Sequence, residues 1–105
     1  MLENDYRKVL IENLTKNLPM LRAKLGINQT ELCEKIGVTR QTLTAIENGK
    51  REMSWIMFVA LTHLFLQNEG TKTLLSVLGI YTEGLQSFLS FKADVISSEE
   101  IGGGI

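Results

Sequence analysis

Apolar residues along this chain recur at three- and four-residue intervals and never alternate with polar ones for long, so the pattern predicts helices and no strands. From Glu3 to Leu14, the positions Tyr6, Val9, Leu10, Asn13 and Leu14 keep an approximate helical spacing. Pro19 interrupts the pattern: either a first helix ends near Lys16 and a second begins near Pro19, or one long helix kinks there. Leu21 and Leu25 continue the stripe, and Gly26 is its stop signal. WIMFVALTHLFL, preceded by Ser54 as a candidate N-cap, is almost wholly apolar and reads as the central buried helix, which Asn68 and Gly70 are expected to end. Two shorter segments follow, TKTLLSVLG and TEGLQSFLSFKADV; Gly79 stops the first and Thr82 caps the second.

The most organised stretch is Gln29 to Asn48. Leu32 and Ile36 stand four apart, Leu43 and Ile46 three apart, so each pair shares one helix face. Asn28 with Glu31 three residues on forms a capping-box pattern before the first helix. Gly37 supplies the residue that tolerates positive φ at a sharp turn, and Thr39 stands where the second helix needs its N-cap. Cys33 is a small residue where two crossing helices must approach. Helix, glycine turn, capped helix is the helix-turn-helix pattern.

Composition narrows the class. The chain has 105 residues, 44% hydrophobic and 22% charged, with a formal net charge of −1. No apolar run approaches the roughly 20 residues that span a bilayer. The N-terminal MLENDYRK lacks the layout of a signal peptide, so a cytoplasmic location and no membrane partner are expected. A single cysteine excludes an intramolecular disulfide and a cysteine-based zinc site. Charge is unevenly spread: between Lys35 and Arg51, the cations Lys35, Arg40, Lys50 and Arg51 face only Glu47, while Glu3, Asp5, Glu12, Asp94, Glu99 and Glu100 crowd the two ends. A local basic patch on a nearly neutral body suits a nucleic-acid interface. No phosphate-binding glycine loop, acid pair or metal spacing is present, and His63 has no nucleophile or carboxylate near it in sequence; no enzyme, cofactor or metal is expected.

Ile27 to Lys50, INQTELCEKIGVTRQTLTAIENGK, resembles the Cro/C1-type (lambda-repressor-like, Xre) helix-turn-helix, and the similarity covers roughly Leu18 to Phe65. It rests on the glutamine that opens the first motif helix, the small residue four before glycine, the apolar–threonine pair and the IENGK exit. Cys33 departs from the usual alanine; Met53 and Trp55 depart where the family often has proline and a small or aliphatic residue. The resemblance implies an all-α bundle with N- and C-terminal helical extensions. It also implies a sequence-specific, double-stranded-DNA-binding transcriptional regulator, with repression the favoured sign.

In such a motif the second helix presents its N-terminal side chains to base edges. Here these are Thr39, Arg40, Gln41 and Thr42, then Thr44 and Ala45. Arg40 suits guanine and Gln41 adenine, in bidentate pairs; an ordinary solvated helix face is the competing reading. By the resemblance, Gln29 touches a phosphate and braces Gln41, and Arg22 pairs with Glu47 to lock the first helix to the second motif helix. Lys50 and Arg51 are further phosphate candidates. The expected organisation is one helical domain over residues 1–96, with its core at about 18–66, an extension at about 70–94, and a flexible tail over 97–105. Leu74, Leu78, Ile80, Tyr81, Leu85, Phe88 and Phe91 carry more apolar surface than one flank needs, which suggests a homodimer through the C-terminal helices, helped by Tyr6 and Val9. The competing reading is that they complete the monomer core. An antitoxin with a toxin partner, or a protein–protein interaction module on the same fold, are the alternative functions.

Overall fold

A computed structural model describes residues 3–91. They form six helices: α1 (Asn4–Leu25), α2 (Gln29–Ile36), α3 (Arg40–Glu47), α4 (Trp55–Leu66), α5 (Glu69–Val77) and α6 (Glu83–Leu89). No strand occurs among the described residues. The all-α, lambda-repressor-like reading therefore holds.

The Pro19 alternative resolves in favour of one helix, because α1 runs unbroken through it. Proline leaves the carbonyl one turn back without its helical donor, and in a helix interior this costs about 3 kcal/mol. The offset comes from packing. Leu10, Leu14, Leu18 and Leu21 on one face of α1 are all fully buried, and burying each leucine is worth about 1.5–3 kcal/mol. Pro19 itself lies on the exposed side.

The turns follow the sequence signals closely. Gly26 closes α1 at φ 72°, and the capping box of α2 is complete: the Glu31 amide donates to Asn28 Oδ1 at 2.8 Å and the Asn28 amide to Glu31 Oε1 at 3.0 Å. Gly37 ends α2 at φ 75°, where an added Cβ would meet nothing within 4 Å, so backbone conformation alone demands glycine there. Thr39 caps α3 by accepting from the Thr42 amide at 3.1 Å, and Ser54 caps α4 by accepting from the Met57 amide at 3.1 Å. The departures at Met53 and Trp55 therefore leave the start of α4 intact; Met53 is buried and Trp55 stacks on Phe58 with centroids 4.9 Å apart.

Two boundary expectations need correction. α4 ends at Leu66 with Gln67 as its C-cap, and Asn68 is the N-cap of the next helix, accepting from the Thr71 amide at 3.1 Å. Gly70 accordingly lies in the first turn of α5 and stops nothing. α6 ends at Leu89, while the expected continuation through residues 92–94 and the 97–105 tail lie outside the described residues.

The C-terminal extension is tied to α1 at two points. Asn13 Nδ2 donates to the Gly79 carbonyl at 3.1 Å, and the Tyr6 hydroxyl bonds Thr82 Oγ1 at 2.6 Å. Leu75, Ile80 and Leu85 are fully buried and join the same core as α1 and α4. Much of the apolar surface read as spare thus completes the monomer: Ile80 and Leu85 lie inside it, and Leu74, Leu78, Tyr81 and Phe88 are half-buried. Arg7 covers this joint, its guanidinium 4.8 Å from the Trp55 ring centroid and 5.5 Å from that of Phe88.

Candidate nucleic-acid interface

α3 turns Leu43 and Ile46 into the core and leaves its opposite face bare. Thr39, Arg40 and Gln41 are exposed, and Thr42, Thr44 and Ala45 half-exposed. A shallow recess on this face is lined by Arg40, Gln41, Thr44, Ala45, Asn48 and Lys50, without a carboxylate. Asn48 was not among the sequence candidates. Its signal was available: positions 41, 44, 45 and 48 fall on one helical stripe, but its role as the cap closing α3 masked it.

A second recess lies at the start of α2, lined by Arg22, Asn28, Gln29, Thr30 and Arg40. The structure therefore brings Gln29 close to the α3 face through Arg40, which lines both hollows. Arg51 reaches back to the same helix, with Nη1 donating to Thr42 Oγ1 at 3.4 Å, and Thr39 Oγ1 donates to that oxygen at 3.0 Å. Lys50 and Arg51 are both exposed.

Beneath these recesses sits a polar cluster. Arg22 donates from Nε to Glu47 Oε2 at 3.1 Å and from Nη2 to Oε1 at 3.0 Å, a bidentate fork joining α1 to α3. Side-chain exposure is 18% for Arg22 and 8% for Glu47, so little water competes for the pair. Gln29 Nε2 donates to the same Oε1 at 2.8 Å, and Thr44 Oγ1 donates to Gln29 Oε1 at 3.5 Å. Gln29 is thus engaged by Glu47 and Thr44 where the family resemblance implied Gln41. Cys33 lies buried nearby. Desolvation pushes its thiol up from the ordinary value of 9.0, with Arg40 pulling down, Glu47 pushing up and Arg22 pulling down more weakly.

His63 is exposed, and its carbonyl accepts from Gln67 Nε2 at 2.9 Å. Among the described residues, no three His, Cys, Asp or Glu side chains converge as a metal site, and no helix is long and apolar enough to cross a membrane.

A capped α2, a left-handed glycine, a capped α3 with one apolar and one bare face, and an ion pair to α1 define a helix-turn-helix protein. The model of the family described as helix-turn-helix matches residues 20–61. An uncharacterized HTH-type transcriptional regulator of Methanothermobacter thermautotrophicus is 50% identical over 36 residues, 34% of this chain and 52% of the relative. The uncharacterized HTH-type transcriptional regulator YgzD of Bacillus subtilis is 42% identical over 45 residues, 43% of this chain and 68% of the relative. The chain belongs to the Cro/C1-type helix-turn-helix family. It spans about half the length of the first of these relatives. No solved structure matches it at comparable significance.

Proposed function

We propose that this protein is a sequence-specific DNA-binding transcriptional regulator that lays α3 in the major groove. The observation that carries the reading is the bare face of α3, whose recess holds Arg40, Gln41, Thr44, Ala45, Asn48 and Lys50 and no acid. In this reading Arg40 and Gln41 read base edges, while Thr39, Thr42, Thr44 and Ala45 contact thymine methyls or nearby phosphates. Gln29, Lys50 and Arg51 bind the phosphate backbone, which supplies affinity and salt dependence without sequence information. Glu47, the acid nearest the patch, is neutralised by Arg22 and so does not oppose the DNA charge.

Repression is the favoured sign, by occupying an operator. A homodimer places two α3 helices about 34 Å apart for successive half-sites. It is supported by apolar side chains left bare in the C-terminal third, where Val77 is 74% and Phe91 97% exposed. Selection of bound sequences from a random duplex pool tests binding and half-site symmetry together. The expected result is a short two-fold-related consensus. Retention of no sequence even at low salt overturns the reading.

A further inference from the structure

α4 is apolar around nearly its whole circumference, and the fold covers only one side of it. Met57, Phe58, Leu61 and Phe65 are buried in the core, while Ile56 on the outer side is 81% exposed. Ala60 and Leu64 continue that outer side at four-residue steps and are only half-buried. A solvated helix face is ordinarily polar, so core packing does not account for this one. The face ends in a hollow of about 650 Å³, within the range of roughly 300–1,000 Å³ of small-ligand sites. Its apolar lining comes from Ala60 and Leu64 of α4, Ile36 at the end of α2, and Leu25 and Ile27 on either side of Gly26.

The charge at the rim has one sign. Lys35 is the lining residue of fixed charge, no Asp or Glu lines the hollow, and Lys35 pairs with no carboxylate among the described residues. His63 stands at the same rim. Gln67 Nε2 donates to the His63 carbonyl at 2.9 Å and lies 3.5 Å from His63 Nε2. An NH₂ group only donates, so that ring nitrogen accepts, and the neutral ring keeps an N–H donor at Nδ1. The carbonyl ends of α2 and α4 also lie here and favour cations. The amides of Gly37, Val38 and Gln67 already bond carbonyls of those last turns, so the Lys35 ammonium sets the sign of the rim. An apolar bed with an unpaired ammonium at its edge complements a molecule with an apolar body and one carboxylate. A second copy of the chain fits less well, because an isologous contact would bring Lys35 against a face that has no acid either.

We propose that this hollow is a binding site for a small amphipathic carboxylate. Its apolar body rests on Leu25, Ile36, Ala60 and Leu64, and its carboxylate meets Lys35 and His63. None of the residues assigned to DNA lines the hollow, so ligand and duplex can be held together. The ligand bridges α2 and α4 just before the Gly37 turn. The site stands whether or not the chain binds DNA.

Titration of the full chain with hexanoate, octanoate and decanoate, followed by NMR of the backbone amides, tests this. Saturable shifts are expected, confined to residues 25–27, 35–36 and 60–67, with an octanoate dissociation constant below about 1 mM. Each added methylene should tighten binding about two- to fourfold, the upper value corresponding to full burial. Octylammonium has the same tail and the opposite head, and should bind about fivefold more weakly than octanoate. Lys35→Gln, at an exposed position, should weaken octanoate about threefold and leave 1-octanol unchanged. Ala60→Leu fills the hollow and should weaken all three acids; if that variant does not fold, Lys35→Gln and the chain-length series decide. Shifts that fail to saturate or spread over the whole surface overturn the proposal. So do octylammonium binding as tightly as octanoate, indifference to Lys35→Gln, or undiminished binding by a folded Ala60→Leu. Movement of the same amides with protein concentration alone also overturns it, since a second copy would then be covering the face.

Discussion

Arg22 on α1 and Glu47 at the end of α3 meet in a two-pronged pair, Nε to Oε2 at 3.1 Å and Nη2 to Oε1 at 3.0 Å, across 25 residues of sequence. Both partners are largely shielded from water. Removing one leaves the other desolvated and unpaired, so Glu47→Ala should destabilise the fold by about 3 kcal/mol, toward the value for buried pairs and well above the 0.2–1 kcal/mol of exposed ones. Urea unfolding of Arg22→Ala, Glu47→Ala and the double variant measures this. The double change should cost clearly less than the sum of the singles, and a strictly additive result would rule out the pair as a unit.

Gly37 sits at φ 75° with open space around it. Gly37→Ala should therefore cost about 1–2 kcal/mol through backbone strain alone. The denaturant midpoint should fall with no change in the slope of the transition. A neutral substitution would mean that the turn relaxes out of the left-handed region.

Base and backbone contacts predict different signatures. Arg40→Ala and Gln41→Ala should each cost about 1–3 kcal/mol at the position read and relax specificity there. Lys50→Ala and Arg51→Ala should weaken binding to all sequences alike and lower the salt slope by about 1 each. Binding isotherms at several salt concentrations, on matched and mutated operators, separate the two. Unchanged specificity in the Arg40→Ala, Gln41→Ala double variant would remove the readout assignment.

Inside and outside diverge sharply in the C-terminal third. Leu85 is fully buried while Phe91 is 97% exposed. Leu85→Ala should destabilise by about 2–5 kcal/mol. Phe91→Ser and Val77→Ser should leave monomer stability nearly unchanged and shift a dimer toward monomer. Light scattering at micromolar concentration reads the outcome; a species of 11.8 kDa in the unmodified protein would exclude the homodimer at that concentration.

Burial raises the Cys33 thiol above 9.0. Less thiolate forms at any given pH, so alkylation near neutrality should be slow in the folded protein and fast only on unfolding. The neutral thiol is favoured in the fold, so its contribution to stability is present below the unfolded value and lost as pH rises through the folded one. Rapid modification of the native protein at neutral pH would show that Cys33 is reached by local opening.

What the sequence by itself determined is local. Asn28, Thr39, Ser54 and Thr82 announced caps because a short polar side chain before an apolar stripe has a nearby free amide to satisfy. Gly26 announced the end of a helix and Gly37 a left-handed turn. Leu32, Leu43 and Ile46 announced buried faces by spacing alone, and the bare face of α3, with Arg40 and Gln41, followed from the same period. Tertiary structure decided what depends on neighbours from elsewhere in the chain. Pro19 broke the pattern on paper, yet α1 continues through it, because the leucines on either side bury against the other helices. Asn68 reads equally well as an ending or a beginning until α5 packs beside it. Ile80 and Leu85 look like spare surface until the fold gathers them into one buried core with the leucines of α1 and the apolar residues of α4. The bond from Gln29 to Glu47 spans 18 positions and two helices. Periodicity reports which face of a helix is apolar. It carries no information on which distant side chain arrives to meet a polar one, since that is settled by the energy of the whole core.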